Sequence, residues 1–267
     1  MPNPVLNSKS FSEKAAEAQP GWGAPTTSPP PAPDPVSPWP PAPTTYAPMT
    51  IGGAASATGV LITLLLVSAV FGWMATEPAT GSLPGGLLLA LFGGVGLAFL
   101  TIFKPTWARV TAPLYALFEG FVVGAISHVY NFEYDGIVLQ AVGLTIFVFL
   151  IMLGLFATGR IKVTEKLRLA IIASTAAICL IYIVSIIANA FGGDVAFIHD
   201  AGVVGIAFSL LVVGVASMNL LLDFDFVQRA IAAKAPKQME WYAAFGLLLT
   251  LVWLYLELLR LMSKLRR

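Results

Sequence analysis

The sequence is poor in charge and almost lacks cysteine. Only 11% of its 267 residues are charged, whereas 57% are hydrophobic. A soluble domain carries roughly 25% charged residues, so this composition indicates an integral membrane protein. A net charge of +1 without a basic face argues against nucleic acid as a partner. The single cysteine, Cys179, excludes a disulfide framework and a cysteine metal cluster.

Proline is abundant, but it is concentrated at the beginning of the chain. Fourteen of the 19 prolines lie within residues 1–50. Because proline donates no backbone hydrogen bond and little here could form a core, we interpret residues 1–50 as a disordered, partly polyproline II tail. A solvated tether is the simplest role, and docking on a cytoplasmic protein is the alternative. Because this tail has no apolar core flanked by basic residues and a cleavage site, we do not expect it to be a signal peptide. Residues 51–267 are predicted to form the membrane domain.

Seven long apolar runs follow the tail, separated by short polar breaks. A helix needs about 20 apolar residues to cross the hydrocarbon core, whereas barrel strands alternate over about ten residues. The sequence therefore predicts an all-α bundle of seven transmembrane helices in a lipid bilayer. The predicted spans are Ala54–Ala75, Leu83–Phe103, Arg109–Tyr130, Gly136–Thr158, Leu167–Phe191, Ala201–Phe224 and Trp241–Met262.

Basic residues are distributed unevenly among the breaks. Nine Lys and Arg residues lie in the breaks after spans two, four and six or within two residues of them, and none lies at the other breaks between spans. The charged residues of the odd-numbered breaks are all acidic, and they include Asp194 and Asp200. The positive-inside rule predicts a cytoplasmic N-terminus. Seven crossings then place the basic C-terminus outside, unless the last segment re-enters and leaves it inside.

Four carboxylates in or beside the spans are candidate ion- or proton-sensing groups. At membrane depth each costs a few kcal/mol unless it finds a partner or water. Glu119 lies roughly 15 Å into the third span, Asp223 and Asp225 close the sixth, and Glu257 lies in the seventh. The alternative for Glu119 is a protonated carboxyl bonded to another helix, and for the two aspartates it is wetting at the membrane surface. Being two apart, Asp223 and Asp225 point to different faces.

Small and polar residues in the third span have simpler explanations. Gly120 and Gly124 form a small-xxx-small pair, which predicts close packing against a neighbouring helix. Ser127 and His128 are adjacent, but helix geometry does not place His128 as a base for Ser127. The other histidine, His199, lies in a loop. We therefore do not expect an enzyme.

Three stretches resemble the Bax inhibitor-1/YccA family. They are the Leu-Asp-Phe-Asp-Phe-Val segment from Leu222 to Val227, the Leu-Val-Trp-Leu-Tyr-Leu-Glu-Leu-Leu-Arg-Leu segment from Leu251 to Leu261, and Phe118-Glu-Gly-Phe-Val-Val-Gly-Ala-Ile126. The Asn-Pro-Val opening and the Ser12-Glu-Lys stretch resemble the actinobacterial branch. The resemblance covers roughly Met49 to the C-terminus and implies location in the bacterial plasma membrane.

This resemblance implies a bundle with the last helix at its centre. It also implies a pH-sensitive calcium leak controlled by one acid at the end of span six and another within span seven. Two nearby carboxylates cannot both ionise cheaply, so such a pair senses pH. Asp223 matches the first acid. The second falls on Thr250, not on Glu257, so the sequence departs from the family pattern there.

The leading function is therefore a cation leak, with calcium as the implied permeant ion and no cofactor. A non-conducting membrane regulator that acts through its tail and helix surface is the alternative. We further hypothesise that Glu119 supplies the midplane carboxylate and that Thr250, at the same depth, hydrogen-bonds to it. Glu257 has Arg260 at i+3, a spacing that permits an ion pair.

Overall fold

Seven α-helices make up most of the protein in this computed structural model, which describes residues 47–80, 84–191 and 202–267. Within those ranges only isolated bridges, and no strands, accompany the helices. The predicted all-α class with seven helices is confirmed. The helices are α1 Ile51–Met74, α2 Leu87–Phe103, α3 Ala108–Glu133, α4 Ile137–Ala157, α5 Glu165–Ala190, α6 Val203–Ala232 and α7 Met239–Arg266, with 3-10 turns at Pro78–Thr80 and Pro105–Trp107.

Some sequence-based predictions fall outside the described residues. These are the disordered state of the tail over residues 1–46, the start of the second span at Leu83, and the loop that contains Asp194, His199 and Asp200.

Six of the described helices are long and apolar enough to cross a membrane. The protein is therefore an integral membrane protein, as its composition predicts. The exception is α2, which has 17 residues and begins after Pro84, Gly85 and Gly86. At 1.5 Å per residue it is about 25 Å long, less than the usual hydrocarbon thickness. The prediction overestimated the length of this span because it counted apolar residues on both sides of Pro84, Gly85 and Gly86.

Helix α6 is longer than the sequence pattern predicts. Its predicted end was Phe224, but the helix continues to Ala232. One of its last carbonyls accepts a hydrogen bond from the backbone N–H of Lys234, which has φ 50°. Asp223 and Asp225 therefore lie well inside the helix rather than at its end. The hydrophobic run ends at Phe224, but no helix-breaking residue follows it, so the backbone continues as polar helix.

Helix α7 is the centre of the bundle. It packs against α1, α3, α4 and α6, and it contributes Leu248, Leu254 and Leu259 to the most completely buried side chains. It is one continuous helix of 28 residues, about 42 Å long. The re-entrant alternative is therefore wrong, because such a segment would have to break and turn back.

Helices α1 and α3 pack with unusually close backbones. A Cβ atom added to Gly120 would collide with the carbonyl of Leu65, and one added to Gly124 would collide with that of Ala69. Ser68 also donates a hydrogen bond to a backbone carbonyl of α3. The predicted small-xxx-small contact is confirmed, and its partner is α1.

The segment before α1 is fastened to the loop between α6 and α7. The Met49 backbone N–H donates to the Ala235 carbonyl at 2.8 Å, and the Met49 side chain is buried. Glu240, buried in the first turn of α7, accepts hydrogen bonds from the backbone and hydroxyl of Thr50 at 3.0 and 3.1 Å. A carboxylate at this position satisfies free donors at the N-terminus of α1.

The basic C-terminus binds groups at the opposite end of the bundle. Lys264 is buried and donates to the Gly205 carbonyl at 3.0 Å. Arg266 donates to the Asp135 carbonyl at 2.8 Å, and Arg267 binds the same α3–α4 turn. These bonds explain why basic residues occur at the end that the charge rule assigns to the outside.

Candidate functional site

Asp223 is a largely buried carboxylate at the interface of α6 and α7. One turn of α7 faces it: Asp223 Oδ1 lies 3.6 Å from where a Cβ of Gly246 would stand, and the Thr250 hydroxyl is a hydrogen-bond donor to the carboxyl. Gly246 and Thr250 are four residues apart and so share a helix face. Asp223 Oδ2 is buried and has no hydrogen-bond partner in the part of the chain that the structure describes.

The apolar packing of α6 against α7 explains why the Asp223 side chain is held there. Leu220 and Phe224 of α6 form a cluster with Leu254 and Leu258 of α7. These contacts fix the register of the two helices, and Asp223 lies beside the cluster. The carboxyl therefore cannot turn to water without disturbing the packed side chains around it.

Asp225 has a different environment, although it is only two residues away. Its Oδ2 lies 2.7 Å from Arg168 of α5 and 2.8 Å from Arg229, one turn along α6. Glu165 completes the group by pairing with Arg168 at 3.0 Å. Asp225 is thus one member of a four-residue ionic cluster that joins α5 to α6.

Glu257 is also charge-compensated. Its carboxyl lies 2.9 Å from Arg260, which confirms that the i+3 spacing allows an ion pair. The Tyr182 hydroxyl of α5 donates to Glu257 Oε1 at 2.7 Å and accepts from Arg260 at 2.6 Å. With the Glu257 side chain only 3% exposed, this triad ties α5 to α7 and leaves no free acid there.

Glu119 is partly buried between α3 and α2. Tyr115, one turn earlier on α3, is its hydrogen-bond partner. Its Oε2 lies 3.6 Å from the position that a Cβ of Gly94 would take on α2. Among the described residues it forms no ion pair, so it resembles Asp223 in lacking a counter-charge.

The five candidate residues therefore separate into distinct places. The structure brings Asp223 and Thr250 together, whereas Glu119 contacts Tyr115 and α2. The hypothesised contact between Glu119 and Thr250 is not among the interactions of the described residues. Asp225 and Glu257 belong to separate ionic groups.

Sequence reasoning missed most of the partners of these acids. The arginine at position 168 and the tyrosine at position 182 lie on a different helix, so only the fold brings them to Asp225 and Glu257. Tyr115 is the exception, since its i−4 spacing from Glu119 is visible in the sequence.

Ser127 and His128 bind different neighbours. Ser127 lies 2.7 Å from the Tyr255 hydroxyl. His128 Nδ1 lies 2.9 Å from the Trp73 carbonyl, and its ring stacks on the indole at 4.5 Å. Both side chains thus contribute to helix packing.

Comparison with known proteins connects this geometry to a family. The model of the family described as Bax inhibitor 1 like matches residues 3–267. No curated protein matches the chain. The match covers nearly the whole chain. The chain belongs to the Bax inhibitor 1 like family.

Proposed function

We propose that this protein is a pH-sensitive cation leak, with calcium as the permeant ion, and that it is gated at Asp223. One observation carries the proposal: the Asp223 carboxyl is buried at a helix interface within a candidate membrane span, and one of its oxygens has no partner among the described residues. A carboxylate there is costly unless a cation, a proton or water compensates it. An acid kept for packing would be expected to have a counter-charge, as Asp225 and Glu257 do.

The groups around Asp223 suit a switch between two states. When the Asp223 carboxyl is protonated it is neutral, so it can stay buried in the closed interface of α6 and α7. The ionised carboxyl requires compensation, and a calcium ion accepts carboxylate, hydroxyl and water oxygens as ligands. Thr250 supplies a hydroxyl, and Gly246 leaves space beside Asp223 Oδ1.

Calcium flux into liposomes that contain the purified full-length protein tests this function. The dye-reported influx is expected to differ between pH 6 and pH 8, and Asp223→Asn is expected to remove that difference. The matched control is Asp225→Asn, which changes the same functional group two residues away. Absence of flux at both pH values would favour the alternative, a non-conducting membrane regulator that acts through its tail and helix surface.

The proposal includes an orientation in the bacterial plasma membrane. The nine Lys and Arg residues of the even-numbered breaks support a cytoplasmic N-terminus. The bonds of Lys264 and Arg266 to backbone carbonyls, and of Arg267 to the Tyr134 hydroxyl, account for the basic residues at the other end. A reporter fused before Met49 should work only if it functions in the cytoplasm, and activity of a periplasm-specific reporter would reverse the topology.

A further inference from the structure

Helix α5 is attached to the bundle differently from every other helix. Three apolar clusters form the described core, and residues of the other six helices lie in them or pack directly on them, whereas no residue of α5 does. Only Ile171 and Ile178 of α5 are buried apolar side chains. Its main neighbour is α6. The apolar interior of the bundle therefore does not depend on α5.

Polar side chains connect α5 to its neighbours at three positions, which are seven residues apart along α5. Arg168 donates to Asp225 at 2.7 Å, and Thr175 accepts from Asn219 at 2.8 Å. The third residue of the series, Tyr182, donates to Glu257 at 2.7 Å. A seven-residue interval is about two turns, so the three residues lie along one stripe of α5. We call these three layers the polar seam.

The opposite face of α5 is apolar and exposed in this chain. Exposed large hydrophobic side chains that would face lipid in a membrane are Leu169, Leu180, Val184 and Ile187, with Ile172 and Ile183 at the edge of this face. Cys179 is also exposed, one turn from Thr175. In lipid there is no hydrophobic gain in holding such a face against the protein, and interhelical hydrogen bonds contribute only modestly because water or other groups can replace them. A helix held in this way is the easiest one to displace.

The middle layer of the seam leads directly to Asp223. Asn219 is one turn from Asp223 on α6, so the two lie on neighbouring parts of the same face. Separation of α5 from α6 at Asn219 would expose the turn of α6 that carries Asp223. The remaining neighbours of Asp223, on α7, belong to the packed centre.

We infer that α5 is the moving part of the gate: it separates from α6 and α7 along the polar seam and admits water and cations to Asp223. This inference rests on the proposed function, because it names the route to the site proposed there. In the closed state, Arg168, Thr175 and Tyr182 hold the seam shut. In the open state, the polar groups of Asn219 and Asp225 line the passage, while α1, α3, α4 and α7 keep their packing.

A reversible staple across the seam tests the inference by flux. Thr175→Cys and Asn219→Cys are combined in a Cys179→Ser background, and the pair is joined by oxidation or by a short bifunctional thiol reagent. Joining is expected to reduce calcium flux about tenfold, and cleavage of the disulfide or of a cleavable linker should restore it, because hinge motions are blocked by a cross-link between the moving parts. Each single-cysteine variant, treated in the same way, is the matched control. Equal flux before and after joining would overturn the inference.

A labelling experiment decides the question without flux. Thr175→Cys in the Cys179→Ser background is treated with a water-soluble, membrane-impermeant thiol reagent in liposomes. Adding Arg168→Gln should raise the labelling rate several-fold, because it removes the ion pair to Asp225, whereas Arg160→Gln in the exposed α4–α5 loop should not. Unchanged labelling with Arg168→Gln would overturn the inference. If no variant conducts calcium, the proposed function fails, and the labelling result alone decides whether α5 moves.

Discussion

Asp223 and Asp225 are the same residue type on the same helix, two positions apart, yet their surroundings are opposite. Asp225 has two guanidinium groups within 2.8 Å. Asp223 meets the hydroxyl of Thr250 and leaves Oδ2 without a partner among the described residues. A shift of two residues turns a side chain by about 200° around a helix, so Asp225 meets the guanidinium of Arg168 whereas Asp223 meets the hydroxyl of Thr250. Helix register alone thus separates a structural ion pair from a carboxyl that remains available for chemistry.

The other two acids repeat this division. Glu257 is held by Arg260 and Tyr182, and it strengthens the contact between α5 and α7. Glu119 has the Tyr115 hydroxyl and, within the described ranges, no cation. Compensated acids are expected to affect stability when they are neutralised, whereas uncompensated acids are expected to affect proton or ion responses. This division is tested by neutralising each of the four acids in turn and by substituting Thr250, the neighbour of Asp223.

The largest expected effect is on flux in Asp223→Asn. The amide keeps the shape but cannot ionise, so calcium flux should fall about tenfold or more and lose its pH dependence. The free energy of unfolding should change little, since Oδ2 has no bond to lose. Asp225→Asn should instead raise flux about threefold, because it loosens the ionic cluster. Equal effects on flux from the two substitutions would show that helix register does not separate their roles.

The second effect is on stability in Glu257→Gln. Removing this charge leaves Arg260 without its counter-ion, so the free energy of unfolding should fall by about 2 kcal/mol. This loss is smaller than for a fully buried pair because Arg260 is partly exposed. Thermal unfolding in detergent measures the change. The double variant Glu257→Leu with Arg260→Leu should recover part of the loss, and a double variant less stable than Glu257→Gln would contradict the ion-pair explanation.

A smaller effect is expected at Thr250. Thr250→Val removes the hydroxyl that faces Asp223 while keeping nearly the same volume, so flux should fall about threefold. Thr250→Ser restores a hydroxyl and serves as the control. If Thr250→Ser is as defective as Thr250→Val, then packing rather than the hydroxyl matters at this position.

The smallest effect is expected from Glu119→Gln. Because Glu119 lacks a cation but is bound to Tyr115, we expect a flatter pH dependence of flux with a free energy of unfolding within about 1 kcal/mol of the parent. Tyr115→Phe removes the same bond from the other side. A large loss of stability in Glu119→Gln alone would place Glu119 with the compensated acids.

Membrane class, helix number and the close helix contact of α3 could be predicted from the sequence, although not its partner α1, because each depends on local composition. Apolar length identifies a span, and two glycines four apart identify a close helix contact. Helix ends were less predictable. The end of α6 was placed at Phe224 because hydrophobicity stops there, whereas helical backbone continues to Ala232.

The candidate site was predictable only in part. The resemblance placed the family's two acids at Asp223 and at position 250, and the structure brings Asp223 and Thr250 together. The depth argument for Glu119 and Thr250 failed to identify a contact because equal depth does not specify which face of a helix meets which neighbour. Partners on α5, such as Arg168 and Tyr182, depend on tertiary packing that no local spacing encodes.

The central position of α7 also constrains the order of assembly during synthesis. Domains form from the N-terminus as the chain emerges, so α1 and α3 can join through their glycine contact while translation continues. Helix α7 supplies the interior against which α1, α3, α4 and α6 pack. The segment before α1 can bond through Met49 only once the α6–α7 loop is present. Until α7 leaves the ribosome, the inserted helices therefore surround an unfilled centre, and a chain truncated before α7 is expected to remain unassembled in the membrane.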